Sequence, residues 1–193
     1  MKLVQATLDL LRQSGLTGAG INQVVDRSRA PKGSLYHYFP GGKQELVTEA
    51  LREADRAVGG AFDAIFRTDV GTGDKVRTLF AKTAAGIEAN AFTKGCPVAA
   101  VTLDLDEESE PLRQACRDVF GHWVDLIAQG LEELPARERH AVAQLIVATL
   151  EGALILARAS GSKAPLTDAG AELALMAESR PPGRRRRRVS RSR

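Results

Sequence analysis

Between Ala30 and Lys43 the sequence reads APKGSLYHYFPGGK and places Lys32, Ser34, Tyr36 and His37, all hydrogen-bond donors and none acidic, along about two helical turns. Leu35 and Phe39, four apart, form the one clear apolar pair and predict a helix anchored on a small core. Pro31 suits the first turn because the amide hydrogen it lacks would be unpaired there anyway. Pro40, Gly41 and Gly42 stop the helix, and Lys43 opens the next one. From Val24 to Lys43 the charged residues are Arg27, Arg29, Lys32 and Lys43 against Asp26 alone, a net +3. A short, donor-rich, acid-free helix between two breakers suits a polyanion.

The elements that must hold this helix precede it. Leu3, Ala6, Leu10 and Leu11 have helical spacing and predict a first helix from Lys2 to Ser14, ended by Gly15. Ile21, Val24 and Val25 make the apolar side of a second helix, Ile21 to Ser28, which Gly20 can cap. A turn of about four residues then leads into the donor-rich helix, which is helix-turn-helix spacing.

The stretch INQVVDRSRAPKGSLYHYFPGGKQEL resembles the DNA-binding domain of the TetR/AcrR family of bacterial transcriptional regulators over roughly Leu3 to Leu51. Lys94 to Asp104, KGCPVAAVTLD, is similar to the LmrA/YxaF-like branch of that family, as is the wording APKGSLYHYFPGGK. The resemblance implies an all-α fold in which a three-helix head at residues 1–45 binds double-stranded operator DNA. A helical body at 46–179 then dimerises and takes a small-molecule effector. Carried onto this chain, the DNA-binding set is Arg27, Arg29, Lys32, Gly33, Ser34, Tyr36, His37 and Lys43. Two departures from the family pattern stand out. Basic residues ahead of the first helix are limited to Lys2, and Arg29 occupies a turn position usually held by Gly, where φ is positive and a Cβ costs roughly 1 kcal/mol.

Composition agrees with a helical protein. The 193 residues are 44% hydrophobic and only 5% aromatic, and β-branched runs are scarce. The formal charge of +3 is deceptive, because Arg180 to Arg193 contains eight Arg and no acid; without it the chain is net −5. DNA binding must then rest on local charge. The tail, PPGRRRRRVSRSR, cannot pack a core and is expected to be disordered. It either binds nucleic acid nonspecifically or has no function.

Beyond Phe39 the breaks predict helices at Lys43 to Phe66, Asp74 to Asn90 (capped by Asp74), Glu110 to Leu134, Arg137 to Ser160 and Pro165 to Glu178. The first is the natural lever between head and body. Along Arg137 to Ser160, the residues Ala141, Leu145, Ala148, Gly152, Ile155 and Ala159 form a seam of mostly small side chains, the pattern of close helix approach, and a homodimer is the favoured reading. The opposite side of that helix is apolar too, so an intrachain core is the alternative.

Phe62, Phe66, Asn90, Phe92, Phe120 and Trp123 are the candidate lining of an effector pocket, with His122 and Glu151 as further polar residues near apolar runs. The pocket itself is implied by the resemblance. No HExxH, GxSxG or Walker A pattern occurs, so no enzymatic residue, cofactor or metal site is expected. Cys96 and Cys116 lack ligand spacing and read as reduced thiols of a cytoplasmic protein. No secretory signal opens the chain, and the most apolar run, Ala141 to Ala159, carries Gln144, Glu151 and Arg158, which argues against a membrane span. Two other readings remain: a nonspecific nucleic-acid-binding protein driven by the Arg tail, and a small-molecule-binding helical protein with a non-functional head.

Overall fold

The computed structural model describes residues 2–107 and 109–180, Lys32 by its backbone alone. Within them lie α1 (Lys2–Gly18), α2 (Ile21–Ser28), α3 (Lys32–Tyr38), α4 (Gly42–Phe66), α5 (Thr72–Ala89), α6 (Pro97–Leu103), α7 (Glu110–Gly130), α8 (Ala136–Ser160) and α9 (Ala164–Glu178), with no strand among the described residues. The fold is all-α. The Arg-rich segment 181–193, expected to be disordered, lies outside the described residues.

Helix α1 packs on α2, α4 and α6, and the rest forms a second layer in which α4 lies on α7, α5 on α9, and α8 between α7 and α9. The pairing follows the apolar periodicity. Leu3, Val4 and Leu11 of α1 meet Leu46, Val47, Ala50 and Leu51 of α4 in a core that continues through Phe62, Trp123 and Ile146. Because α4 contributes to that core along its whole length, it joins the recognition helices to the rest without a flexible linker.

Several element boundaries differ from the sequence expectation. Helical structure in α1 continues to Gly18 past a kink at Gly15 (φ 70°), because Asp104 Oδ2 accepts the backbone N–H groups of Leu16 and Thr17 at 2.8 and 3.1 Å. Helix α5 starts at Thr72 rather than Asp74, since Glu133 Oε2 takes the Thr72 N–H at 2.9 Å and does the work of a cap. Helix α7 stops at Gly130, four residues early, although Leu131 and Leu134 remain buried. The seam Ala141, Leu145, Ala148, Gly152, Ile155 and Ala159 faces away from the intrachain core, which α8 meets through Val142, Ala143, Ile146, Val147 and Leu150. By length and composition α8 is the one described helix apolar enough to cross a membrane. One side of it, Val142, Ala143, Ile146, Val147, Leu150, Ala153 and Ala157, is instead buried where α8 packs against α5, α7 and α9.

Candidate functional sites

The first site is the outer face of α3. Leu35 is fully buried and Phe39 half-buried, so the apolar pair seats the helix as its spacing requires. Flanking them, Tyr36 and Tyr38 are 50% and 67% exposed, unusual for aromatic side chains. His37 is also exposed and meets the Tyr38 ring edge-on, with centroids 5.0 Å apart. Tyr38 is absent from the candidate set drawn from the sequence. By spacing it lies three residues from Leu35 and reads as a flank of the apolar side, and only the structure shows it exposed.

The turn before α3 has a defined cause. Arg29 adopts the left-handed conformation (φ 53°, ψ 27°) expected at that position, and its N–H reaches Asp26 O at 3.4 Å. Ser28 closes the turn: its Oγ donates to Val25 O and accepts from the Ala30 N–H. Arg27 and Arg29 are exposed, and the Arg27 guanidinium donates to Gln13 Oε1 at 2.9 Å. Gly33 lies on the open surface with Ser34 beside it, half-buried. Lys43 stands apart from this set. It is half-buried, and its ammonium donates to Leu16 O at 2.7 Å, capping the α1 end and pinning α4 to α1. With three N–H donors, it retains capacity for a second acceptor.

The second site is a cavity of about 240 Å³ in the body. Its walls come from α1 (Leu8, Arg12), α4 (Ala54, Ala57, Val58, Phe62), α5 (Thr83, Gly86, Ile87) and the α8 residues Leu150, Glu151 and Leu154. Trp123 of α7 and the segment Lys94–Pro97 complete them. Of the residues expected to line a pocket, Phe62 and Trp123 do so, packed edge to face at 5.6 Å. Phe120 backs Trp123 in the same manner at 5.5 Å. Phe66 is buried against the α7 end, beside Gly130. Asn90 donates to Gly86 O at 2.7 Å and so caps its own helix, and Phe92 follows it in a positive-φ turn.

Two polar groups at this cavity are half-buried, Glu151 and Cys96, and the Oε2 atom of Glu151 is buried outright. The Glu151 carboxyl is pushed above the usual carboxylate range by burial, with the Cys96 thiol pulling it partly back. Burial and the neighbouring Glu151 together push the Cys96 thiol well above its ordinary value, so it is a protonated thiol, and its sulfur caps α6. Glu151 Oε2 and Trp123 Nε1 have no hydrogen-bond partner. The cations nearby are engaged elsewhere: Lys94 pairs with Asp9 at 2.9 Å, and Arg12 Nε donates to Gly95 O. Glu151 was visible in the sequence as the one acid in the apolar run of α8. Cys96 was read from the sequence as a reduced thiol, without any sign that it lies beside Glu151. No group of three or more metal-ligating side chains occurs among the described residues.

Comparison with known proteins places the chain in a family. Residues 3–50 match the family model for bacterial regulatory proteins of the tetR family, and residues 73–172 match the C-terminal domain of LmrA/YxaF-like transcriptional regulators. An HTH-type transcriptional regulator of Mycobacterium tuberculosis is 34% identical over 172 residues, covering 86% of this chain and 87% of the relative. The fold is similar to the crystal structure of a TetR regulatory protein from Rhodobacter sphaeroides (TM-score 0.80, 23% identity, 90% of this chain and 96% of that one). It is similar also to the TetR family regulator CifR in complex with 26bp double-strand operator DNA (TM-score 0.79, 22% identity, 90% and 94%). With both halves of the chain matched and the helix-turn-helix geometry in place, this protein belongs to the TetR family, in its LmrA/YxaF-like branch, and is a DNA-binding transcriptional regulator.

Proposed function

We propose that this regulator is a homodimeric, ligand-responsive repressor of a palindromic operator, working in the cytoplasm. The observation that carries the reading is the face of α3, whose Tyr36, His37 and Tyr38 stand in solvent over a buried Leu35. That face enters the major groove, where Lys32, Gly33, Ser34, Tyr36 and His37 meet bases and phosphates. Arg27 and Arg29 grip the backbone, and Lys43 adds to them after its primary task of holding Leu16. Residues 1–45 act as the DNA-binding head and 46–179 as the effector and dimerisation body.

Dimerisation is supported by the uncovered face of α8 and α9. Leu145, Ile155 and Leu156 of α8 and Leu175 and Met176 of α9 are each 41–61% exposed, alongside the small residues of the seam. Two copies packed through these helices form a four-helix bundle and set two α3 helices about one DNA turn apart, roughly 34 Å. The cavity is the effector site. It touches α4 through four residues and α1 through two, so a bound molecule pushes on the head directly as well as through its lever. Release of the operator then requires that the ligand favour the displaced state.

The test is a mobility-shift titration on a palindrome enriched from random DNA. Tyr36→Ala lowers affinity about 10- to 100-fold, as for loss of a base contact of ~1–3 kcal/mol, with helicity intact. Unchanged affinity removes α3 as the reading helix. Binding insensitive to sequence and lost with residues 180–193 would instead favour the Arg-rich tail.

A further inference from the structure

We infer that the effector is a lipophilic amine, an apolar molecule bearing a protonated nitrogen that Glu151 receives inside the body cavity. This assignment rests on the reading of that cavity as the effector site, and names its ligand class. A carboxyl group on an apolar helix face is costly to bury unless it is paired. In α8 the neighbours of Glu151, Leu150 and Leu154, are aliphatic and also line the cavity. No described Lys or Arg offsets its charge. The two cations that line the cavity have other partners, Lys94 pairing with Asp9 and Arg12 Nε donating to Gly95 O. Glu151 Oε2 has no hydrogen-bond partner, and the Cys96 thiol beside the carboxyl is neutral and supplies no countercharge.

An alcohol supplies the donor alone, and a carboxylate supplies neither. A protonated amine supplies both in one group. Phe62 and Trp123 add two aromatic rings to the same cavity, and such rings attract a desolvated cation. The remaining wall, Ala54, Ala57, Val58, Ile87, Leu150 and Leu154, receives a compact hydrocarbon body. With about 240 Å³ of space, the cavity suits a single cage or fused-ring skeleton rather than a large drug-like molecule.

Trp123 is the only tryptophan in the chain, so its emission reports occupancy. Titrate the full-length protein with 1-adamantylmethylamine, 1-adamantanemethanol and 1-adamantanecarboxylate, which share one non-absorbing body. The amine binds at least about 10-fold more tightly than the alcohol, as expected for a charge-assisted hydrogen bond, and the carboxylate binds most weakly. In Glu151→Gln the amine's advantage over the alcohol falls to within about 2-fold. The alcohol arm of that titration reports that the variant's cavity is intact. Gly86 lines the cavity, and a Cβ there meets nothing within 4 Å, so Gly86→Leu fills the space and weakens all three probes.

Equal binding of amine and alcohol overturns the amine assignment, as does a preference that survives Glu151→Gln or no binding by any probe. Amine binding unaffected by Gly86→Leu overturns the cavity as its place. Amine binding that passes these tests but leaves operator affinity unchanged upholds the ligand class and defeats the effector reading on which it rests.

Discussion

At the scale of single residues, this protein carries two local costs at its two candidate sites, and each has a measurable signature. Glu151 has a carboxyl pKa raised by burial, so the folded state holds its proton more tightly than the unfolded chain. The associated stability is fully present below the unfolded value of about pH 4.3 and is lost as pH rises through the folded pKa. Glu151→Gln has no such loss. Its melting temperature exceeds that of the parent at pH 7, and the difference shrinks as the pH falls towards 4; a constant difference across that range removes the carboxyl as the cause. Arg29, left-handed at φ 53°, is the second cost. Arg29→Gly raises stability by roughly 1 kcal/mol in chemical denaturation, while operator affinity falls if the guanidinium meets a phosphate. The Arg29 backbone was legible through the family resemblance, whose turn usually has Gly at that position. The raised pKa of Glu151 was not, since it depends on which residues from other helices surround that position.

Among the elements, eight of the nine described helices were read nearly in position; α6 was not, because Gly95 and Pro97 read as breaks, and two of the boundary errors occur where a distant side chain completes an end. Glu133, sixty-one residues along the chain, starts α5 early, and Asp104 extends α1 past Gly15. Capping by local residues is visible as a motif, whereas capping from another helix leaves no mark in the segment it extends. Close helix contact is another property of pairs. A Cβ at Gly130 would lie 2.5 Å from the Phe66 carbonyl oxygen, so only glycine lets the ends of α7 and α4 meet. Gly130→Ala is expected to cost about 1–3 kcal/mol, read as a fall in melting temperature of roughly 2–4 °C per kcal/mol. An unchanged melting point means that the contact relaxes freely. Lys43 illustrates the same dependence on partners: its charge was legible beside α3, but its hydrogen bond to Leu16 O was not.

In the whole molecule, head and body are tied by more than the α4 lever. Arg12 and Gly95 exchange hydrogen bonds, Lys94 pairs with Asp9, Arg158 Nη2 donates to Gln13 O at 2.7 Å, and Asp104 holds the α1 kink. The segment Lys94–Pro97 thus lines the cavity on one side and grips α1 on the other. Assembly is the remaining large-scale property. Ile155 is 54% exposed on α8, so Ile155→Asp leaves the protomer folded but yields a monomer by sedimentation, with operator affinity lost in parallel. A dimer that persists in this variant removes the α8 face as the interface. Periodicity, breakers and the APKGSLYHYFPGGK motif determined by themselves the all-α class, the helix-turn-helix and the location of its basic charge, because each depends on residues within a few turns of one another. Only the tertiary structure decided which side of α8 is left bare, that Glu151 and Trp123 share one cavity with Phe62, and that α1 is bound to its wall. Those outcomes depend on helices far apart in sequence competing for the same apolar surface, and that competition is settled only when the chain packs.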